Sequence, residues 1–135
     1  IGNPLKKGIA EGELLISNLT IFCFLIGTND MPNCEGKIII FEDVNEDIYK
    51  IDRMFTYIRM TQVLKNIVGI GFGNFFDPKR TDKIELLENL IFDRFAEFNI
   101  PIISNLPVGH LTGNACLPYG YSGILNGNIG KLSIN

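Results

Sequence analysis

Apolar residues along this chain fall into two kinds of run. Short unbroken runs predict buried strands, and longer stretches with apolar residues three and four apart predict helices. "KIIIF", Lys37 to Phe41, is of the first kind, bounded by Gly36 and by acids, and suits a strand covered on both faces. Ile67 to Phe72 and "IPIIS", Pro101 onward, are two more. Of the second kind is the set Ile48, Ile51, Met54, Phe55 and Ile58, with Lys50, Arg53 and Arg59 off its apolar face. Asn45 is placed to cap that helix, with Glu46 and Asp47 in its first turn. Thr81 and Asp82 open another, with Ile84, Leu87, Leu90, Ile91, Phe95 and Phe98 on one side and Asn99 at its end. "SNLTIFCFLIGT" predicts a short helix capped by Asn18 and stopped at Gly27, apolar on every face and therefore buried. Ile1 to Gly12 reads as a lead-in loop. "NGNIG" marks a hairpin between strands around Tyr119–Leu125 and Lys131–Ile134. Helices alternating with strands imply parallel βαβ units, so the expectation is an α/β fold with a mixed sheet and a C-terminal hairpin.

Composition narrows the function. At 135 residues and 46% hydrophobic, the chain has the size and apolar content of one domain with a real core. A net charge of −3 with scattered cations argues against nucleic acid as a partner. The longest apolar run, Leu19 to Ile26, is too short to span a bilayer, and no signal-peptide pattern opens the chain. Cys23, Cys34 and Cys116 are odd in number and irregularly spaced, which fits no disulfide framework and points to a reducing cytoplasm. With one histidine and no Cys-x-x-Cys, neither a structural metal nor a cofactor is expected.

Three stretches invite chemistry. "GIGFG", Gly69 to Gly73, lacks the third glycine of a dinucleotide fingerprint, and its glycines suit close packing of a buried strand. Glu42 follows a buried strand directly, at the end where open α/β sheets gather ligands, although an acid leading a helix is also ordinary. His110 follows "IPIIS" in a glycine-containing loop, either as a plain loop histidine or as a base. Both lie past strand ends, so they can converge, the carboxylate fixing the imidazole tautomer. What is missing is a nucleophile. Ser17, Ser104, Ser122 and Ser133 occupy no Gly-x-Ser-x-Gly turn, and Cys23 in its apolar helix reads as inert.

"KGIAEGELLISNLTIFCFLIGT", "GKIIIFEDVNEDIYKIDRMF", "VGIGFGNF", "IPIISNLPVGH" and "LPYGYSGILN" occur in the order found in the C-terminal domain of the LD-carboxypeptidase family, which this chain resembles over nearly its whole length. These are bacterial serine peptidases that include the microcin C immunity protein. One departure is Ile16-Ser17, where the family usually has Gly-Gly. The resemblance implies a swivelling β/β/α-type domain, with a mixed sheet or partial barrel and packed helices. It implies a Ser-Glu-His triad split over two domains, the Glu falling on Glu42 and the His on His110. The Ser would lie in an N-terminal domain that nothing here matches. Residues 1–135 are thus expected to be the C-terminal domain alone, in keeping with a first residue, Ile1, that is not Met.

The resemblance further implies a cytoplasmic, metal-free enzyme of peptidoglycan recycling, often dimeric, that releases terminal D-Ala from murein tetrapeptide. The partners implied are the N-terminal domain, the murein peptide and a second copy of the protein. Two alternatives stand beside it: a non-enzymatic binding module of the same fold, and a related amide hydrolase of the microcin-immunity type.

Overall fold

Strand alternation along "KIIIF" fixes the architecture, because both faces of this strand are apolar and each needs its own cover. The computed structural model describes residues 1–43, 47–75, 82–108 and 120–135. Among them, strands β1 (Asn3–Lys6), β2 (Ile9–Asn18), β3 (Ile38–Glu42), β4 (Gly69–Phe72), β5 (Ile102–Ser104), β6 (Ser122–Asn126) and β7 (Lys131–Ile134) form one sheet. Its order is β1-β5-β4-β3-β2-β6-β7. Helices α1 (Leu19–Leu25), α2 (Ile48–Thr61) and α3 (Asp82–Phe95) connect the parallel strands β2 to β3, β3 to β4 and β4 to β5. β1 and the β6–β7 hairpin run antiparallel to their neighbours.

The helices share one face of the sheet. There Ile39 and Phe41 of β3 and Ile70 and Phe72 of β4 meet Leu19 and Phe22 of α1, Ile51, Phe55 and Ile58 of α2, and Leu87, Ile91 and Phe95 of α3. Phe72 is the hub: its ring centroid lies 5.4 Å from that of Phe55, 5.7 Å from Phe95 and 6.1 Å from Phe41. Edge-on and tilted pairs of this kind add about 0.5–1.5 kcal/mol each beyond the area they bury. Two Arg–carboxylate pairs at the surface, Arg94–Asp52 at 2.9 Å and Arg59–Glu97 at 3.0 Å, tie α2 to α3 and its C-terminal end.

No helix covers the other face among the described residues. It is filled by the sheet's own curl, with Ile38 and Ile40 packing against Ile103, Leu106, Val108 and Leu125. The curl brings the sheet's two edges together. The Gly2 N–H donates to the Gly130 carbonyl at 2.7 Å, and the Gly127 N–H to the Gly8 carbonyl at 2.7 Å. The predicted mixed sheet or partial barrel is therefore present. So is the close packing expected of "GIGFG": Cβ positions at Gly69, Gly71 and Gly73 all point into this inner layer, toward Leu125, Ile40 with Leu106, and Val108.

Four local expectations change. Ile1 to Gly12 is not a loop but carries β1 and the start of β2. β1 tolerates Pro4 because it is an edge strand. α1 is capped by Asn18 as predicted, its Oδ1 accepting from the Ile21 N–H at 3.0 Å, yet it is not buried all round: Phe24 is 75% exposed. Asp47 stands at the N-cap of α2, and Asn45 lies outside the described residues. α3 ends at Phe95 rather than Asn99, and Lys6 Nζ donates to the carbonyls of Ala96 and Phe98 just past it.

The glycine packing can be tested by rank. A Cβ on Gly73 would stand 2.3 Å from the Val108 carbonyl oxygen, so backbone must move; one on Gly71 meets only side-chain methyls of Ile40 and Leu106 within 3 Å. Overpacking costs about 1–3 kcal/mol. Gly73→Ala is expected at the upper part of that range and Gly71→Ala below it, read from urea denaturation midpoints; the reverse order would contradict the packing described.

Candidate active site

The carboxyl ends of β2, β3, β4 and β5 lie side by side, because these strands run parallel. Whatever follows them in sequence is gathered at one end of the sheet. Glu42 closes β3 and is only 8% exposed. Alternation along β3 puts it on the face of Ile38 and Ile40, the inner face of the curl. The alternative of an ordinary solvent-facing acid leading a helix does not describe Glu42, which is buried. Its backbone pairs in register with Asn18 at the end of β2.

His110 lies outside the described residues, as does Cys116. The chain toward His110 is described as far as Val108, and it is pinned to the same end of the sheet. Leu106 N–H donates to the Phe72 carbonyl at 2.9 Å. Asn74 N–H donates to the Val108 carbonyl at 2.7 Å, and Gly73 N–H to the Phe41 carbonyl at 2.8 Å. Val108 belongs to the inner layer with Ile38 and Ile40. A turn at Asn105, whose φ of 52° is left-handed, redirects the chain from β5 across the end of β4. Glu42 and the segment that leads into His110 thus share one end and one face of the sheet.

Asp43, in the loop that follows β3, is 6% exposed and faces the helices. Its carboxylate accepts from the Thr20 hydroxyl at 2.6 Å, the Thr20 N–H at 3.1 Å and the Asn18 side-chain amide at 3.2 Å. It therefore fastens the start of α1 to the end of β3. The sequence carries no local sign of this, because the partners lie 23 and 25 positions away.

Among the described residues no serine occupies a nucleophile turn, in geometry or in motif. All four serines lie inside strands, and none occupies a strand-to-helix turn. Ser104 is buried and donates to the Glu88 carboxylate, which also accepts from Asn3 Nδ2 at 3.1 Å. Burial first, and the Asp43 charge second, push the Cys23 thiol up to about 11. It is protonated at neutral pH and a poor nucleophile. Among the described residues no group of three His, Cys, Asp or Glu side chains could hold a metal ion.

The Cys23 environment gives a direct check. In a Cys34→Ser, Cys116→Ser background, its alkylation rate should keep rising past pH 9 toward about 11, since ionisation is delayed to that value. A plateau reached below pH 9 would contradict the burial and the nearby carboxylate.

With this geometry in hand, comparison with known proteins is decisive for the family. The family model for the LD-carboxypeptidase C-terminal domain matches residues 11–125. A homologue from Synechocystis sp. is 37% identical over 134 residues, covering 98% of this chain and 44% of its own length. The murein tetrapeptide carboxypeptidase of Pseudomonas aeruginosa is 30% identical over 123 residues, 90% of this chain and 40% of the enzyme. Among solved structures, an MccF-like protein from Bacillus anthracis superposes with a TM-score of 0.83 at 27% identity, over 98% of this chain and 41% of that one. The chain thus spans less than half the length of these relatives. The extent and strength of these matches place the chain in the LD-carboxypeptidase family, as a C-terminal domain of that family.

Proposed function

We propose that this chain supplies the acid and the base of a Ser-Glu-His triad in a serine-type LD-carboxypeptidase that releases terminal D-Ala from murein tetrapeptide. Glu42 is the acid and His110 the base. The observation that carries the reading is the burial of Glu42 at a parallel-strand end, on the face toward which the Leu106–Val108 segment is drawn before His110. A carboxylate so held accepts from one imidazole nitrogen, fixes the tautomer and leaves the other nitrogen to take the serine proton. It then stabilises the imidazolium as the tetrahedral intermediate forms. The serine belongs to an N-terminal domain, for which the relatives' greater length leaves room. The enzyme works in the cytoplasm on recycled wall peptide, needs no metal, and pairs with a second copy. Among the described residues, no helix is long and apolar enough to cross a membrane.

Likeness to the MccF-like protein favours a second reading, an amide hydrolase of the microcin-immunity type with the same triad. The two differ in substrate and not in Glu42 or His110. Assay of the full-length protein on murein tetrapeptide and on an aminoacyl sulfamoyl nucleotide separates them. Measurable D-Ala release, with no cleavage of the nucleotide conjugate, is the expected result.

In that full-length protein, Glu42→Gln should keep the fold and lower kcat on the order of 10³–10⁴-fold, as loss of the orienting acid does in serine proteases. His110→Ala should lower it at least as far, and the double variant little further, because the residues act as a unit. Activity within tenfold of wild type in either single variant would remove that residue from the triad.

The chain by itself should release no D-Ala from the tetrapeptide. Turnover by the isolated chain that disappears on replacing Ser17, Ser104, Ser122 or Ser133 would overturn the two-domain reading.

A further inference from the structure

The end of β3 has a second neighbour that the triad does not use. α1 and α2 border an open groove of about 690 Å³. Phe24, Ile26, Met54 and Tyr57 give it an apolar lining, and Lys50 and Arg53 add two cations. Phe24 and Tyr57 are exposed, although both are large and aromatic. The cations are exposed too, and neither has a carboxylate partner among the described residues, whereas Arg59 and Arg94 of the same helical layer are paired with Glu97 and Asp52. Arg53 stands 5.3 Å from the Tyr49 ring centroid, which holds the guanidinium without neutralising it.

An occupant must therefore bring carboxylates next to short apolar groups. An acidic peptide meets that need, with carboxylates for the two cations and aliphatic carbons for the apolar lining. The groove is also lined by Thr20, whose N–H and hydroxyl hold Asp43, so it opens on the helix face at the same end of the sheet as Glu42.

We propose that this groove is a subsite for an acidic peptide, in which Lys50 and Arg53 hold carboxylates of the murein peptide upstream of the scissile bond and Phe24 and Tyr57 pack against its aliphatic carbons. The inference rests on the murein reading for the identity of the peptide, and on the groove for its recognition. Lys50 and Arg53 are specificity residues under this assignment and take no part in proton transfer.

The test is calorimetric titration of the full-length protein with murein tripeptide, which lacks the terminal D-Ala, beside a tripeptide whose carboxylates are amidated. The Lys50→Gln, Arg53→Gln double variant should bind the acidic tripeptide at least tenfold more weakly than wild type. It should bind the amidated one no differently from wild type. Phe24→Ala, at an exposed position, should weaken both peptides alike. Wild-type affinity in the double variant, or equal losses for the acidic and amidated peptides, would overturn the subsite. Hydrolysis of tetrapeptide, measured in parallel, separates the two claims. Turnover with a KM untouched by the double variant removes the subsite and leaves the carboxypeptidase reading intact. Charge-dependent binding without turnover does the opposite.

Discussion

The structure depends on how β4 divides its two faces. Toward the helices it presents Ile70 and Phe72, and Phe72 meets aromatic rings from β3, α2 and α3. Toward the inside of the curl it presents Gly69 and Gly71, with Gly73 directly after its end, and a Cβ would fall within 3.0 Å of a neighbouring atom at every one of the three positions. A strand with bulk on both faces would fill the helix layer equally well but would hold the inner layer apart. The hairpin's Leu125 and the Leu106–Val108 segment could not then close on Ile38 and Ile40. The thin inner face lets a sheet with helices on one side only cover its other side with itself.

That closure also positions the chemistry. Because Gly73 admits the Val108 backbone, the chain leaving β5 is tied to the end of β4 by the Leu106 and Asn74 N–H hydrogen bonds, and the Gly73 N–H ties that end to Phe41 of β3. The segment is held by backbone groups rather than by long side chains, so its path is set by the sheet itself. The base proposed two residues farther on follows a fixed point. The acid proposed to face it is held on a buried strand end, which limits its motion in the same way. Precision of this order is what orientation contributes to catalysis.

Much of this was legible in the sequence, and what was not has a physical cause. The unbroken run "KIIIF", short and bounded by Gly36 and acids, was legible as β3 because a strand covered on both faces is apolar at successive positions. The 3.6-residue spacing gave α2 and α3 for similar reasons. The first twelve residues misled, because edge and hairpin-paired strands tolerate Gly, Pro and Lys that would break a central strand. The apolar character of α1 suggested burial, yet Phe24 is exposed: apolarity alone does not separate a core residue from one that meets a ligand or partner. The family's Gly-Gly pair gives way to Ile16-Ser17 without disturbance because these two residues lie inside β2, paired with Ile40 and Phe41. Glu42 was readable as a strand-end acid. The fate of Asp43 was not, since its donors arrive from another element.

Glu42 and Asp43 show how a pair of adjacent buried acids can be sent to two environments. Two buried carboxylates next to each other in sequence would repel strongly if they shared an environment. Strand alternation sends them to opposite faces of the sheet. Asp43 goes to the helix side, where a hydroxyl, a backbone N–H and an amide satisfy it and its role is to hold α1. Glu42 goes to the inner side, toward the segment that leads to the histidine. Exchanging the two would give the structural role to a side chain one methylene longer, with more rotamers to fix against the same three donors. It would give the orienting role proposed for Glu42 to a shorter side chain with less reach toward an imidazole. The order Glu then Asp therefore suits each face, and the short reach of Asp43 is what lets it lock Thr20 at the start of α1.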